Sequence, residues 1–193
     1  AREIAVDRSV SSLIESELAK AKDAILAGDA ERAESRLANA STLVRLHPEL
    51  PEAAWLRAEV DRAWGMRFVR LEPKDPTRAR QWLAEAEGLD GGRAAGIGEP
   101  SAPPRETILA SFEWLADPRV DVRLDGRLIS PGEAHVTGGE HHLFVTRSGK
   151  LAWSGWVAIV EGISIQVPNP PAPPCSDEDL DHAGRATARC PTW

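Results

Sequence analysis

The chain has 193 residues, 42% of them hydrophobic and 27% charged, enough to bury a core in one mid-sized domain or two small ones without metals or many disulfides. A formal net charge of −7, spread along the chain with no block of one sign, excludes a nucleic-acid binder and a polybasic membrane-surface protein. No apolar run approaches the roughly 20 residues that span a bilayer, and the missing start Met and signal-peptide pattern read as a processed mature chain or a trimmed piece of a longer one.

The first 90 residues carry a helical period. Leu13, Ile14, Leu18, Ala21 and Ile25 recur at helical spacing. Gly28-Asp29 then closes one helix and opens the next, Gly as C-cap and Asp as N-cap. Ala33, Leu37, Ala40 and Leu43 carry the second helix to His47-Pro48, and Ala54, Leu56, Ala58, Val60 and Trp64 predict a third, mostly apolar one. Pro73 and Pro76 break it, and a short fourth helix is expected over 77–88.

An internal repeat runs through this half. Asp29, Arg32, Ala33, Leu37, Ala38 and Ala40 align with Asp75, Arg78, Ala79, Leu83, Ala84 and Ala86 at a constant offset of 46 residues. Small Ala positions let neighbouring helices approach while Leu fills the groove, the sequence signature of stacked antiparallel helix pairs. The pattern Gly28-Asp29-x3-Ala33-x3-Leu37-x2-Ala40, with Pro48 after the helix, resembles the second half of a tetratricopeptide repeat over about residues 11–90. That resemblance implies helical hairpins offering a groove to a peptide or a partner protein.

Gly88, Gly91, Gly92, Gly96, Gly98, Pro100, Pro103 and Pro104 predict a linker over 88–105. Residues 106–116 fit two patterns. Ile108, Leu109, Phe112 and Leu115 suit a helix, and Ile108, Ala110, Phe112 and Trp114 suit a strand, with the Ala, Leu and Glu content leaning to helix. From Val120 the period becomes two: Val120, Val122 and Leu124, then His141, Leu143 and Val145, then Val157 and Ile159, then Ile163, Ile165 and Val167. Asp125-Gly126, Gly138-Gly139, Ser148-Gly149 and Glu161-Gly162 supply the turns. These signals predict a small antiparallel sheet structure of about five strands.

Their order, Val120-x-Val122-x-Leu124-Asp125-Gly126, then Gly139-Glu140-His141-x-Leu143-x-Val145, then Gly149 and Gly162, resembles a PEGA domain over about residues 118–168. The resemblance implies a non-enzymatic, envelope-associated β-sandwich of the kind that sits beside helical repeats in bacterial envelope proteins. The expected fold class is therefore α+β: helical hairpins over 1–90, a linker with a short helix or strand over 91–117, the β module over 118–168 and a tail over 169–193.

The tail begins with the extended run Pro168 to Pro174, read as a spacer. Its cysteines, Cys175 and Cys190, are the only two in the chain. An even pair in a short polar segment reads as a local disulfide in an oxidising compartment. The expected localisation is periplasmic or extracellular.

Motifs of catalysis are missing: there is no P-loop, no GxGxxG after a strand, no HExxH and no GxSxG. Adjacent His141 and His142 point to opposite faces of a strand, and His135 lies one hairpin away, so no metal, cofactor or catalytic set is expected. Trp is the one suggestive class, with 7 Trp and no Tyr. Trp153 and Trp156 around Gly155 are candidate contacts for a ligand or partner. The functional expectation is a non-enzymatic envelope scaffold or adaptor with protein partners. The alternatives are a carbohydrate- or peptidoglycan-binding module using exposed Trp, and an accessory domain of a larger secreted protein.

Overall fold

A computed structural model describes residues 6–90, 105–115 and 117–168. The stretch 91–104, the Pro-rich run beyond Pro168 and both cysteines lie outside the described residues. The chain is an α+β protein: the described residues form four helices, then seven strands in two small sheets.

The helices are α1 (Arg8–Ala27), α2 (Ala30–Leu46), α3 (Ala53–Arg70) and α4 (Pro76–Asp90). Gly28 ends α1 in the left-handed conformation, φ 80°, and its N–H donates to the carbonyls of Ala24 and Ile25. Asp29 then caps α2 by accepting from the Arg32 N–H at 3.0 Å. Forty-six residues later Asp75 repeats the device, accepting from the N–H groups of Thr77 at 3.1 Å and Arg78 at 3.0 Å. Ala33, Leu37 and Ala40 on α2 and Ala79, Leu83 and Ala86 on α4 are all buried. The sequence repeat is thus a repeat of cap and packing face together. Ala38 lies on the exposed side of α2, outside that face.

Helix α3 packs against α1, α2 and α4. Twelve of its residues are buried, among them the charged Glu59, Asp61, Arg62 and Arg67. Each has a charged partner: Glu59 pairs with Lys22 and Arg62, Asp61 with Arg57, Arg62 also with Asp90, and Arg67 with Glu34. On α1 the buried Glu17 takes Lys20 at 2.9 Å and Arg36 at 3.0 Å, and these hydrogen bonds hold its carboxyl down at about 2. Helices α3 and α4 meet at Gly65, where an added Cβ would stand 2.8 Å from Cγ of Leu83.

The strands are β1 (Thr107–Glu113), β2 (Val120–Leu124), β3 (Arg127–Ile129), β4 (Gly132–Thr137), β5 (Gly139–Arg147), β6 (Lys150–Ile159) and β7 (Ser164–Gln166). One sheet has the order β4-β1-β7 and the other β3-β2-β5-β6. All pairings are antiparallel except β1 with β7, which is parallel. Two hairpin turns hold a residue pair with positive φ, Asp125-Gly126 and Ser148-Gly149, the geometry that matches strand twist. The inner faces meet in one core containing Ala110, Phe112 and Ile165 from the first sheet and Val122, Leu124, Leu143 and Val145 from the second.

Two expectations change here. Residues 107–113, whose composition leans to helix, form β1. Placing Ala110 and Phe112 together on the core face is worth more than helix propensity, which differs by only a few tenths of a kcal/mol per residue. Gly88, expected in the linker, lies inside α4, which continues to Asp90.

Gly65→Ala is expected to lower stability by about 1–3 kcal/mol through overpacking against Leu83, although Ala is the better helix former. Ala33→Leu and Ala79→Leu should each do the same. Chemical denaturation of the variants reads both effects, and an unchanged midpoint at Gly65 would show that α3 and α4 are not in close contact there.

Candidate functional site: the junction between helices and sandwich

Five consecutive residues of β5, His141 to Val145, are buried. Alternate side chains of a strand face opposite ways, so burial of all five requires cover on both sides. Leu143 and Val145 face the sandwich core. His142 faces the helices, and its Nε2–H donates to the Pro48 carbonyl of the α2–α3 connection at 2.7 Å. The neighbouring β6 brings Trp156 to the same side, its ring 5.1 Å from that of His142 and packed against the helical core and against Ala58, Ala86 and Leu89. Burial pushes the His142 imidazole below its ordinary value. Among the described residues Nδ1 of His142 and Nε1 of Trp156 are buried and find no hydrogen-bond partner.

Arg57 is the polar centre of this junction. Its Nε donates to both oxygens of Asp61, at 2.9 and 3.1 Å. Its Nη1 reaches Oε2 of Glu140 on β5 at 3.4 Å, and its guanidinium lies 5.9 Å from the centre of the Trp156 ring. Arg45 takes the other oxygen of Glu140 at 3.3 Å. Burial drives the Asp61 carboxyl up to about 7, with the Arg57 charge opposing and the charges of Glu85 and Glu140 adding to the rise.

On the inner side of β5, His141 is fastened at both ring nitrogens. Nδ1 donates to Oδ2 of Asp125 at 2.6 Å and Nε2 to the Thr137 carbonyl at 2.8 Å. Oδ1 of Asp125 accepts the His142 backbone N–H at 2.8 Å. Asp125 is both a turn residue, with φ 49°, and the clip that joins the β2–β3 turn to β5.

Next to this clip a cleft of about 400 Å³ lies between the end of α4 and the mouth of the sandwich. Glu87, Arg105, Asp125, Arg127, Thr137, His135 and His141 contribute its polar wall, and Leu89, Leu124, Leu128, Ile129 and Val136 its apolar one. Among the described residues the carboxylate Oε2 of Glu87 and the hydroxyl Oγ1 of Thr137 are buried and find no hydrogen-bond partner. A Cβ on Gly88 would stand 2.7 Å from Nη1 of Arg105 and 3.0 Å from the Thr137 hydroxyl, and one on Gly139 3.0 Å from Nη2 of Arg105. The guanidinium therefore rests against two glycines at the mouth of the cleft.

The two candidate tryptophans take different places. Trp153 is half-buried, packs against the sandwich core and folds its ring over Gly155, where an added Cβ would meet ring atoms at 2.6 and 2.8 Å. Trp156, also half-buried, is spent on the helix–sheet junction. His135 and His141 both line the cleft, whereas His142 faces away from it. Among the described residues no three His, Cys, Asp or Glu side chains are gathered as a metal set. Sequence reasoning missed Glu87, Arg105 and Thr137. They belong to three separate elements with no motif, and Gly88 and Gly139 were the only signals of close approach.

Two outcomes follow from this geometry. Asp125→Ala leaves a buried His141 nitrogen and a backbone N–H unpaired and is expected to destabilise the protein by about 3 kcal/mol. Asp125→Asn, which keeps an acceptor and tolerates positive φ, should lose clearly less. Equilibrium unfolding ranks the two, and equal losses would mean the clip carries no weight. Asp61 gives a pH signature. Its folded value of about 7 exceeds the 3.8 of the free group, so the folded state binds more protons between those values and this group's contribution falls as pH rises through that window. His142, lowered on folding, contributes the opposite slope, stability lost as pH falls below its free value. The difference between wild type and Asp61→Asn isolates the first effect: it should shift in favour of the variant from pH 4 to 7, and a difference independent of pH would show Asp61 to be ionised throughout.

No protein-family model, curated protein or solved structure matches this chain, so the reading of the site rests on its own residues.

Proposed function

We propose that the protein is a non-enzymatic scaffold or adaptor of the bacterial cell envelope that binds partner proteins. The observation that supports this reading is the junction itself. Arg57, Glu140, His142 and Trp156 join two unlike surfaces, a helical array and a sandwich, so partners held on each would keep a defined mutual orientation. The α2–α3 connection is flanked by Leu46 and Trp55, which remain 67% and 46% exposed; an exposed Trp is the residue chemistry of an interface anchor. The helical half resembles a tetratricopeptide pair and the β half a PEGA module, families whose usual work is binding. Among the described residues no helix is long and apolar enough to cross a membrane. An exported location rests on the Cys175–Cys190 pair, and mass spectrometry of the native protein tests it: two alkylatable thiols would remove that argument.

A second reading is supported by a groove of about 410 Å³ along β2 and β3, lined by Trp114, Asp117, Asp121 and Ser130. An aromatic ring beside carboxylate and hydroxyl groups suits a sugar. Here Trp114 takes the part first given to Trp153.

One experiment separates the readings. The purified chain is cross-linked in envelope extract and, in parallel, passed over immobilised peptidoglycan and soluble glycans. The adaptor reading expects defined cross-linked partners that disappear with Leu46→Ser/Trp55→Ser. Retention on glycan that is lost in Trp114→Ala, with cross-links unaffected by the double variant, would replace it with the carbohydrate reading.

A further inference from the structure

We infer that the seam between the helices and the sandwich is a proton-operated contact: Asp61 on the helix side and Glu140 on the sheet side compete for the one guanidinium of Arg57, and a proton taken up by Asp61 releases that guanidinium to Glu140 and tightens the seam. Three observations point to it. The first is that Arg57 is divided unequally. Asp61, four residues further along α3, takes its Nε at 2.9 and 3.1 Å, while Glu140 of β5 is held by Nη1 at 3.4 Å. The contact with Asp61 lies within one helix and does nothing to join the halves. The contact with Glu140 crosses from helix to sandwich. An ionised Asp61 therefore keeps within α3 a charge that the seam would otherwise use.

The second is the difference in burial. The Asp61 side chain is 1% exposed and that of Glu140 36%. Neutralising Asp61 relieves a desolvation cost, whereas water keeps Glu140 charged. Burial is the largest cause that lifts the Asp61 carboxyl to about 7, and Glu85 from α4 and Glu140 from β5 add to the rise against the opposing charge of Arg57. The third is reciprocity. The charge of Glu140 beside the helices favours a proton on Asp61, so a proton on Asp61 favours Glu140 beside the helices by the same free energy. The other charges around this cluster have their own places. Arg45 of α2 holds the second oxygen of Glu140, and Lys22 of α1 goes to Glu59. His142 of β5, held below its ordinary value by burial, also titrates at the seam and acts in the opposite sense, because burial disfavours its charged form. The two halves are thus held more firmly just below neutral pH than above it. The device belongs to the fold and stands whatever either half binds.

The indole Nε1–H of Trp156 is buried in the seam and meets solvent when the seam opens, so its hydrogen-exchange protection factor in the full chain reads the contact. The Val122 amide, in the sandwich core, reports global unfolding as the reference. From about pH 8.5 down to about pH 6.5, a range in which His142 stays neutral, protection of the indole should rise about two- to fivefold relative to Val122, the range of an ion pair with one partly exposed partner. Asp61→Asn should be flat over the same range, at the level wild type reaches at the acid end. Glu140→Gln changes a partly exposed position and should be flat at the level of the alkaline end. Carbon-13 titration reads the reciprocal effect: the midpoint of the Asp61 carboxyl should fall in Glu140→Gln. An indole whose protection does not change relative to Val122 in wild type overturns the inference, and so does a pH response of equal size in wild type and Glu140→Gln. If Asp61→Asn does not fold, the comparison with Glu140→Gln decides alone.

Discussion

Burial of β5 on both faces is the constraint on which this molecule depends. A strand in a two-sheet sandwich normally turns one face to the core and one to water. Here the outward face is given to α3, α4 and the α2–α3 connection, so the sheet β3-β2-β5-β6 is the middle layer between helices and the sheet β4-β1-β7. Much of what is polar near β5 is satisfied under that condition. His141 is secured by Asp125 and Thr137 on one side, and His142 by Pro48 on the other. Glu140, at the point where the cover ends, takes two arginines from the helices. The cleft sits where the chain crosses from one sheet to the other at Gly139, next to the end of α4.

The helical half meets a related demand by different means. Helix α3 is surrounded by the other three helices and by the sheet, so it has no fully solvated side for its charges. It keeps the buried ones, Glu59, Asp61, Arg62 and Arg67, by pairing each. A buried pair contributes little net stability against apolar residues of equal size, but loss of one partner is costly. The effect is specificity of arrangement: Lys22 of α1, Glu34 of α2 and Asp90 of α4 must each arrive from a defined direction. Apolar packing at Ala33, Ala79 and Gly65 then sets how closely the helices approach.

Local chemistry was legible in the sequence, and long-range chemistry was not. Asp29 and Asp75 announce their caps, and Asp125-Gly126 and Ser148-Gly149 their turns, because each acts on backbone within a few residues. The offset of 46 residues is visible for the same reason: one helix face is a local pattern. Strand β1 was ambiguous because Thr107 to Glu113 supports both periods, and only β4 and β7, some twenty and fifty residues further on, make it a strand. The part of the site that sequence missed is of this second kind. Glu87, Arg105 and Thr137 meet through tertiary structure, with nothing in their spacing to connect them. Trp153 and Trp156 stand close together in the sequence. Yet strand alternation sends one to each face, and which face is covered depends on helices about a hundred residues earlier.

The pairing of β1 between β4 and β7 also sets an order for synthesis. All four helices are complete once Asp90 has been made, and most contacts among them join neighbours in sequence. Local contacts of that kind form quickly. The sheet β4-β1-β7 cannot close until Gln166 is available, because Phe112 meets Ile165 in register across its parallel pair. A nascent chain therefore carries a finished helical unit while β1 still lacks one of its two neighbours. During that interval Phe112 and Ala110 have no complete sheet to shelter them, and the window in which this protein is open to self-association lies between the emergence of β1 and that of β7.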